Sequence, residues 1–174
     1  LAGIKQEVWA FKDGQTAAVE RWLNKVRELS DSLPKVDYVV RALGHEETRC
    51  DSVSLKKPLD HLAKQVADAL NAVYQPDLLL KHRVLVKSTQ CSAKERELQV
   101  SGAYAVNSGV VRPDAGKPLT FLIVDDVFTS GATANEIRRA LCQVYPTARI
   151  YTLTLVKTLY RAQAGENTAE AQHN

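Results

Sequence analysis

Apolar residues recur along this chain at two alternating periods, and the alternation predicts its elements. Trp22, Val26, Leu29 and Leu33 fall at helical spacing with Arg21, Lys25 and Glu28 between them, which predicts an amphipathic helix over 16–33, ended by Pro34. VDYVVRAL (36–43) is β-branched and aromatic and reads as a buried strand, with polar GHEETRCDS (44–52) as the loop that follows. Pro58 opens a second helix, where its missing N–H costs nothing, and Leu59, Leu62, Val66, Leu70 and Val73 make the inner face. DLLLKHRVLVK (77–87) begins as a strand, 88–101 reads as a polar, mobile excursion, and GAYAV (102–106) is strand-like again. After the turn chemistry of RPDAGKP (112–118) comes the strand FLIVDD, then a helix from near Thr133 with Ile137, Leu141 and Val144 on one face, stopped by Pro146. RIYTLTLV (149–156) is a last strand. Residues 1–160 read as a single domain, and 161–174 as a polar, disordered tail.

Strands alternating with helices predict an α/β fold built on a mostly parallel central sheet. Such folds take ligands at the carboxyl ends of their strands. Taking strands 36–43, 78–86 and 121–125 as parallel neighbours, the loops 44–52, 87–101 and 126–133 open on one edge.

Composition narrows the partners. No apolar run approaches the length of a membrane span, so a membrane is not expected. The net charge of +3 is mild and both signs are interspersed, and no basic stripe carries interleaved aromatics, which argues against nucleic acid. Cys50, Cys91 and Cys142 are odd in number and far apart, with neither zinc nor disulfide spacing, and suit a reducing, cytoplasmic setting.

The chemistry concentrates in FLIVDDVFTSGAT (121–133). Asp125 and Asp126 stand where an apolar strand leaves the core; if the chain turns out of the sheet there, both reach one ligand. Ionised carboxylates only accept hydrogen bonds, so the pair suits a partner rich in hydroxyls, or a metal. Thr129, Ser130, Gly131, Ala132 and Thr133 then sit at the mouth of a helix, whose free N–H groups bind anions. Gly131 allows a close backbone approach. Acceptors for a diol beside a cradle for a phosphate fit a ribose 5-phosphate. No GxxxxGK[ST] occurs, which argues against a P-loop reading.

LIVDDVFTSGAT resembles the phosphoribosyl-diphosphate (PRPP) loop of the type I phosphoribosyltransferases. The likeness extends toward the competence-protein-F-like branch of that superfamily through IKQEVWAFKDGQ, through LDHLAKQVADAL, and through KSTQCSAKERELQVSGAY with Gln90, Glu95, Arg96, Gly102, Ala103 and Tyr104. It departs where Gln99 replaces the usual Asn, where KKPLDH replaces an Arg-Gly-Phe-Asn-Gln segment, and where the spacing from Gln90 to Arg96 is about two residues short. The resemblance implies a mostly parallel sheet flanked by helices, a flexible lid loop, and transfer of a phosphoribosyl group from Mg-PRPP to a nitrogen acceptor with release of pyrophosphate. Asp125 and Asp126 would hold the ribose 2- and 3-hydroxyls, and Thr129 to Thr133 the 5-phosphate. Arg41, Ala42, Leu43 and Gly44 would touch pyrophosphate, and Lys87, Lys94 and Arg96 would form the lid. Asp125, Asp126 and Arg96 are the expected catalytic residues. Magnesium (Mg2+) would be held mainly by the substrate, and a homodimer is a family expectation. A PRPP or nucleotide sensor without turnover is the second reading, and an interaction module keeping a relic loop the third.

Overall fold

The computed structural model describes residues 2–50, 57–86, 92–111 and 117–157. Its centre is a four-stranded, all-parallel sheet in the order β2-β1-β5-β6, where β1 is Tyr38–Arg41, β2 Val73–Tyr74, β5 Thr120–Phe128 and β6 Arg149–Lys157. Apolar residues on both faces of β5 make this possible, since strand neighbours point to opposite sides. Phe121 and Ile123 enter one core with Ile137, Ala140 and Leu141 of α5 (Ala132–Val144). Leu122 and Val124 enter the other. There they meet Leu62, Ala63, Val66 and Ala67 of α3 (Pro58–Ala69), Leu23 and Val26 of α2 (Thr16–Leu29), and Phe11 of α1 (Ala2–Lys12). The Asp37 carboxylate accepts from Thr120 N at 2.7 Å and ties the starts of β1 and β5 together.

Several elements differ from the expected ones. The first apolar period yields α2 only to Leu29, followed by a tight turn over Ser30–Ser32, and Leu29 is half exposed. α3 stops at Ala69 because Asn71 takes a left-handed conformation (φ 51°), so Val73 starts β2 instead of extending the helix. The strand expected at 78–86 is short. β3 (Leu79–Lys81) pairs antiparallel with β4 (Tyr104–Val106) in a separate two-stranded sheet, so it is not a parallel neighbour of β1 and β5. Much of the excursion expected over 88–101 is helical. Ser92 and Glu95 form a reciprocal cap that starts α4 (Ala93–Val100). The tail 161–174 lies outside the described residues.

Candidate phosphoribosyl site

β5 does not turn out of the sheet at its acids. It stays paired with β6 as far as Phe128 and Lys157, while its register with β1 ends at Val124. Past Val124 the strand is held on one side and open on the other. Strand alternation persists, so Asp126 faces the α1 side, where Lys12 Nζ lies 2.9 Å from Oδ2, and Asp125 points to the Tyr104 side. Both acids nevertheless line one cavity of about 990 Å³, because it opens around the unpaired edge of the strand. Burial first, and then the charge of Asp126, push the Asp125 carboxyl up to about 7, against the Asp126 N–H (2.9 Å) and the Lys12 charge.

The strand runs further than expected, through Val127 and Phe128, and the turn occupies 129–131, so Thr129 to Gly131 stand between β5 and α5. Gly131 is the N-cap of α5 with φ 79° and brings no capping side chain of its own, and Gly131, Ala132, Thr133 and Ala134 line the cavity. Ser130 Oγ lies 3.4 Å from Ala132 N. A Cβ on residue 131 would stand 2.6 Å from Cζ of Phe128, whose ring fills the space under the turn. Gly131→Ala therefore adds left-handed strain to an overlap. It is expected to cost about 1–3 kcal/mol in a melting experiment, and Phe128→Leu in the same chain should recover part of the loss. Full stability in Gly131→Ala alone would contradict this packing.

The loop after β1 differs most from its expected state. Arg41, Ala42, Leu43 and Gly44 do line the cavity, but Arg41 is 3% exposed and its charge is already matched. Its Nε donates to Asp60 Oδ1 in a very short contact, its Nη1 and Nη2 donate to Glu47 at 2.8 Å each, and Nη2 also meets Cys50 Sγ at 3.3 Å. Burial pulls the guanidinium down, and the hydrogen bonds it donates to Glu47 and Asp60 outweigh it and hold the group above its ordinary value. The same cluster works in reverse on Glu47, where burial is outweighed by Arg41, the Gly44 N–H and Lys57, leaving its carboxyl at about 2. Burial raises the Cys50 thiol to about 11, which keeps it protonated. Leu43 is pinned by Tyr104, whose hydroxyl accepts from Leu43 N (3.1 Å) and donates to Leu43 O (3.2 Å). Lys81 Nζ, also buried, donates to Gly44 O (2.7 Å) and His45 O (3.2 Å), and burial lowers its ammonium to about 8.

Glu47, Asp60, Lys81, Tyr104 and Lys12 thus shape the site although the motif does not name them. Tyr104 and the segment holding Lys12 belong to the stretches that carry the family likeness, and Pro58 followed by Asp60 was a local signal: Asp60 stands at the third position of α3, where its carboxylate accepts from Lys57 N. Of the expected lid, Lys87 lies outside the described residues, as does the side chain of Arg96, which stands on α4. Lys94 is exposed on α4 and does not line the cavity. Leu85, Val86, Gln99 and Val100 line it instead, with Gln99 Oε1 accepting from Val86 N at 3.1 Å. No described helix is long and apolar enough to cross a membrane.

No family model matches the chain, and no curated protein does. Solved structures do. Adenine phosphoribosyltransferase from Saccharomyces cerevisiae superposes with a TM-score of 0.53 at 14% identity, over 84% of this chain and 72% of that one. A second adenine phosphoribosyltransferase gives 0.52 at 16% identity, over 84% and 74%. The chain also matches an allosteric regulatory enzyme of purine biosynthesis at 20% identity and a TM-score of 0.46, over 79% of its own length and 26% of that chain's. At these identities the likeness to the two adenine phosphoribosyltransferases speaks for architecture alone, and the architecture of this chain is the type I phosphoribosyltransferase fold.

Proposed function

We propose that this protein binds Mg-PRPP and transfers its phosphoribosyl group to a nitrogen acceptor, releasing pyrophosphate. The observation that carries the reading is the convergence on one cavity of two carboxylates from opposite faces of β5 and the N-terminal turn of α5. The acids accept from the ribose 2- and 3-hydroxyls, and the α5 turn donates N–H groups to the 5-phosphate. As the bond between C1 and the diphosphate oxygen breaks, its electron pair leaves with pyrophosphate, and the acceptor nitrogen forms the new bond to C1. Asp125 and Asp126 would offset positive charge on the ribose as it develops. Magnesium, arriving with the diphosphate, would neutralise the leaving group.

The test is a thermal shift with magnesium and PRPP, followed by a screen of nitrogen acceptors for pyrophosphate release. A shift together with release supports transfer. A well-folded protein that shows no shift contradicts the whole reading. Binding without release by any acceptor would favour the second reading, a PRPP- or nucleotide-binding regulator. One observation favours that alternative: the cationic and N–H donors of the 41–44 loop are engaged within the chain.

A further inference from the structure

The side chain of Glu47 sits in a seat built for an anion. Arg41 Nη1 and Nη2 clasp its two oxygens in a fork at 2.8 Å each, Gly44 N donates to Oε2 at 2.5 Å, and Lys57 Nζ lies 3.2 Å from Oε1. An arginine fork, a lysine and a loop N–H suit a carboxylate and a phosphoryl group equally. Glu47 reaches the seat by a tight turn in which its own N–H donates to Gly44 O at 3.0 Å. Arg41, Gly44, Glu47 and Lys57 all line the cavity that holds Asp125 and Asp126. Arg41 has a second carboxylate, Asp60, buried behind it. It would therefore not be left without a counter-charge if Glu47 moved out, and Glu47 is 12% exposed on its way to solvent.

We propose that Glu47 is an internal competitor of the diphosphate: its carboxylate fills the seat in the free protein and swings out when the diphosphate of the ligand enters. This rests on the phosphoribosyl reading of the cavity. The competition sets a threshold on ligand identity. A ligand with only a 5-phosphate uses the α5 turn and leaves Glu47 in place, whereas one with a diphosphate must displace it. Glu47 then acts as a specificity-determining residue rather than a catalytic one.

Inorganic pyrophosphate and ribose 5-phosphate, each titrated calorimetrically in magnesium buffer, separate the two ideas. The proteins are the parent, Glu47→Gln and Glu47→Asp, with folding checked by melting. The aspartate variant keeps a counter-charge for Arg41 but is too short to span Arg41 and Gly44 N together. Pyrophosphate should bind Glu47→Gln about tenfold or more tightly than the parent, because a like charge has left the seat, and Glu47→Asp should fall between. Ribose 5-phosphate should bind all three alike. If ribose 5-phosphate binds but pyrophosphate gains nothing in either folded variant, the competitor idea is overturned and the phosphoribosyl reading stands. If pyrophosphate tightens while ribose 5-phosphate binds none of them, the competitor stands and the ribose assignment falls. If neither change appears and neither ligand binds, both are overturned.

Discussion

Asp125→Asn/Asp126→Asn should gain no thermal stability from magnesium and PRPP, while the parent gains several degrees. At ligand about a hundredfold above Kd the parent gains ~2.7 kcal/mol, which for a chain of this size is ~5–10 °C. Each ionised acid accepting from a ribose hydroxyl is worth about 1.5–3 kcal/mol, so removing both lowers affinity by roughly 10²–10⁴-fold. The unliganded variant should not suffer in return. The Lys12 to Asp126 pair is partly exposed, 43% and 27%, and contributes less than about 1 kcal/mol. Asp125 stabilises the fold in its protonated form, because its folded value of about 7 lies above the ordinary 3.8. That contribution is complete below about pH 4 and is lost as pH rises through 7. The parent should therefore lose stability between those limits, and the Asp125→Asn single variant should lose less. Binding has the opposite slope: hydroxyls need the ionised acid, so PRPP affinity should climb from pH 6 to 8 and flatten above. An affinity indifferent to pH over that interval would rule Asp125 out as a ribose acceptor.

Arg41→Ala should be the most damaging single change to the fold. It leaves Asp60 and Glu47 facing each other without their common cation, and Cys50 and Tyr74 already lean on the same Asp60 oxygen at 3.2 and 3.0 Å. Breaking a buried pair by removing one partner costs about 3–5 kcal/mol, measured as a lower urea midpoint with an unchanged slope. Asp60→Ala should cost a comparable amount, since it leaves Arg41 Nε, the Tyr74 hydroxyl and the Lys57 N–H without their acceptor, with Glu47 still holding the other end of the guanidinium. A loss below about 1 kcal/mol in both would mean the cluster is not the clamp its geometry describes.

Part of this could be read from sequence because local chemistry decided it. The apolar run of β5 could only be a central strand, Pro58 opened α3, and the Thr-Ser-Gly turn with its helix could only follow β5 at short range. What escaped was settled by partners far along the chain. Arg41 looks like a free cation at a strand end until Asp60, nineteen residues later, is folded against it. β3 looks like another parallel strand until β4 claims it. α1 did carry a helical signal, because Ile4, Val8 and Phe11 fall at i, i+4 and i+7 on one face, but the stripe is only two turns long and Trp9 stands exposed off it. Of the site, the acids and the glycine turn were visible. Glu47, in a loop of ordinary polar residues, became visible only through what it touches.

The one-sided pairing of β5 beyond Val124 divides the conformational entropy of binding unequally. With β6 holding the strand through Phe128, Asp125 and Asp126 are fixed before any ligand arrives, and a ligand meets them with little further ordering to impose. The open side carries the turn from Ala42 to Glu47, which is held by side-chain hydrogen bonds from Tyr104, Lys81 and Arg41 instead of by a strand ladder. Affinity differences among ligands of this cavity should therefore originate on its β1 side, leaving the strand that supplies the acids nearly invariant from one complex to the next.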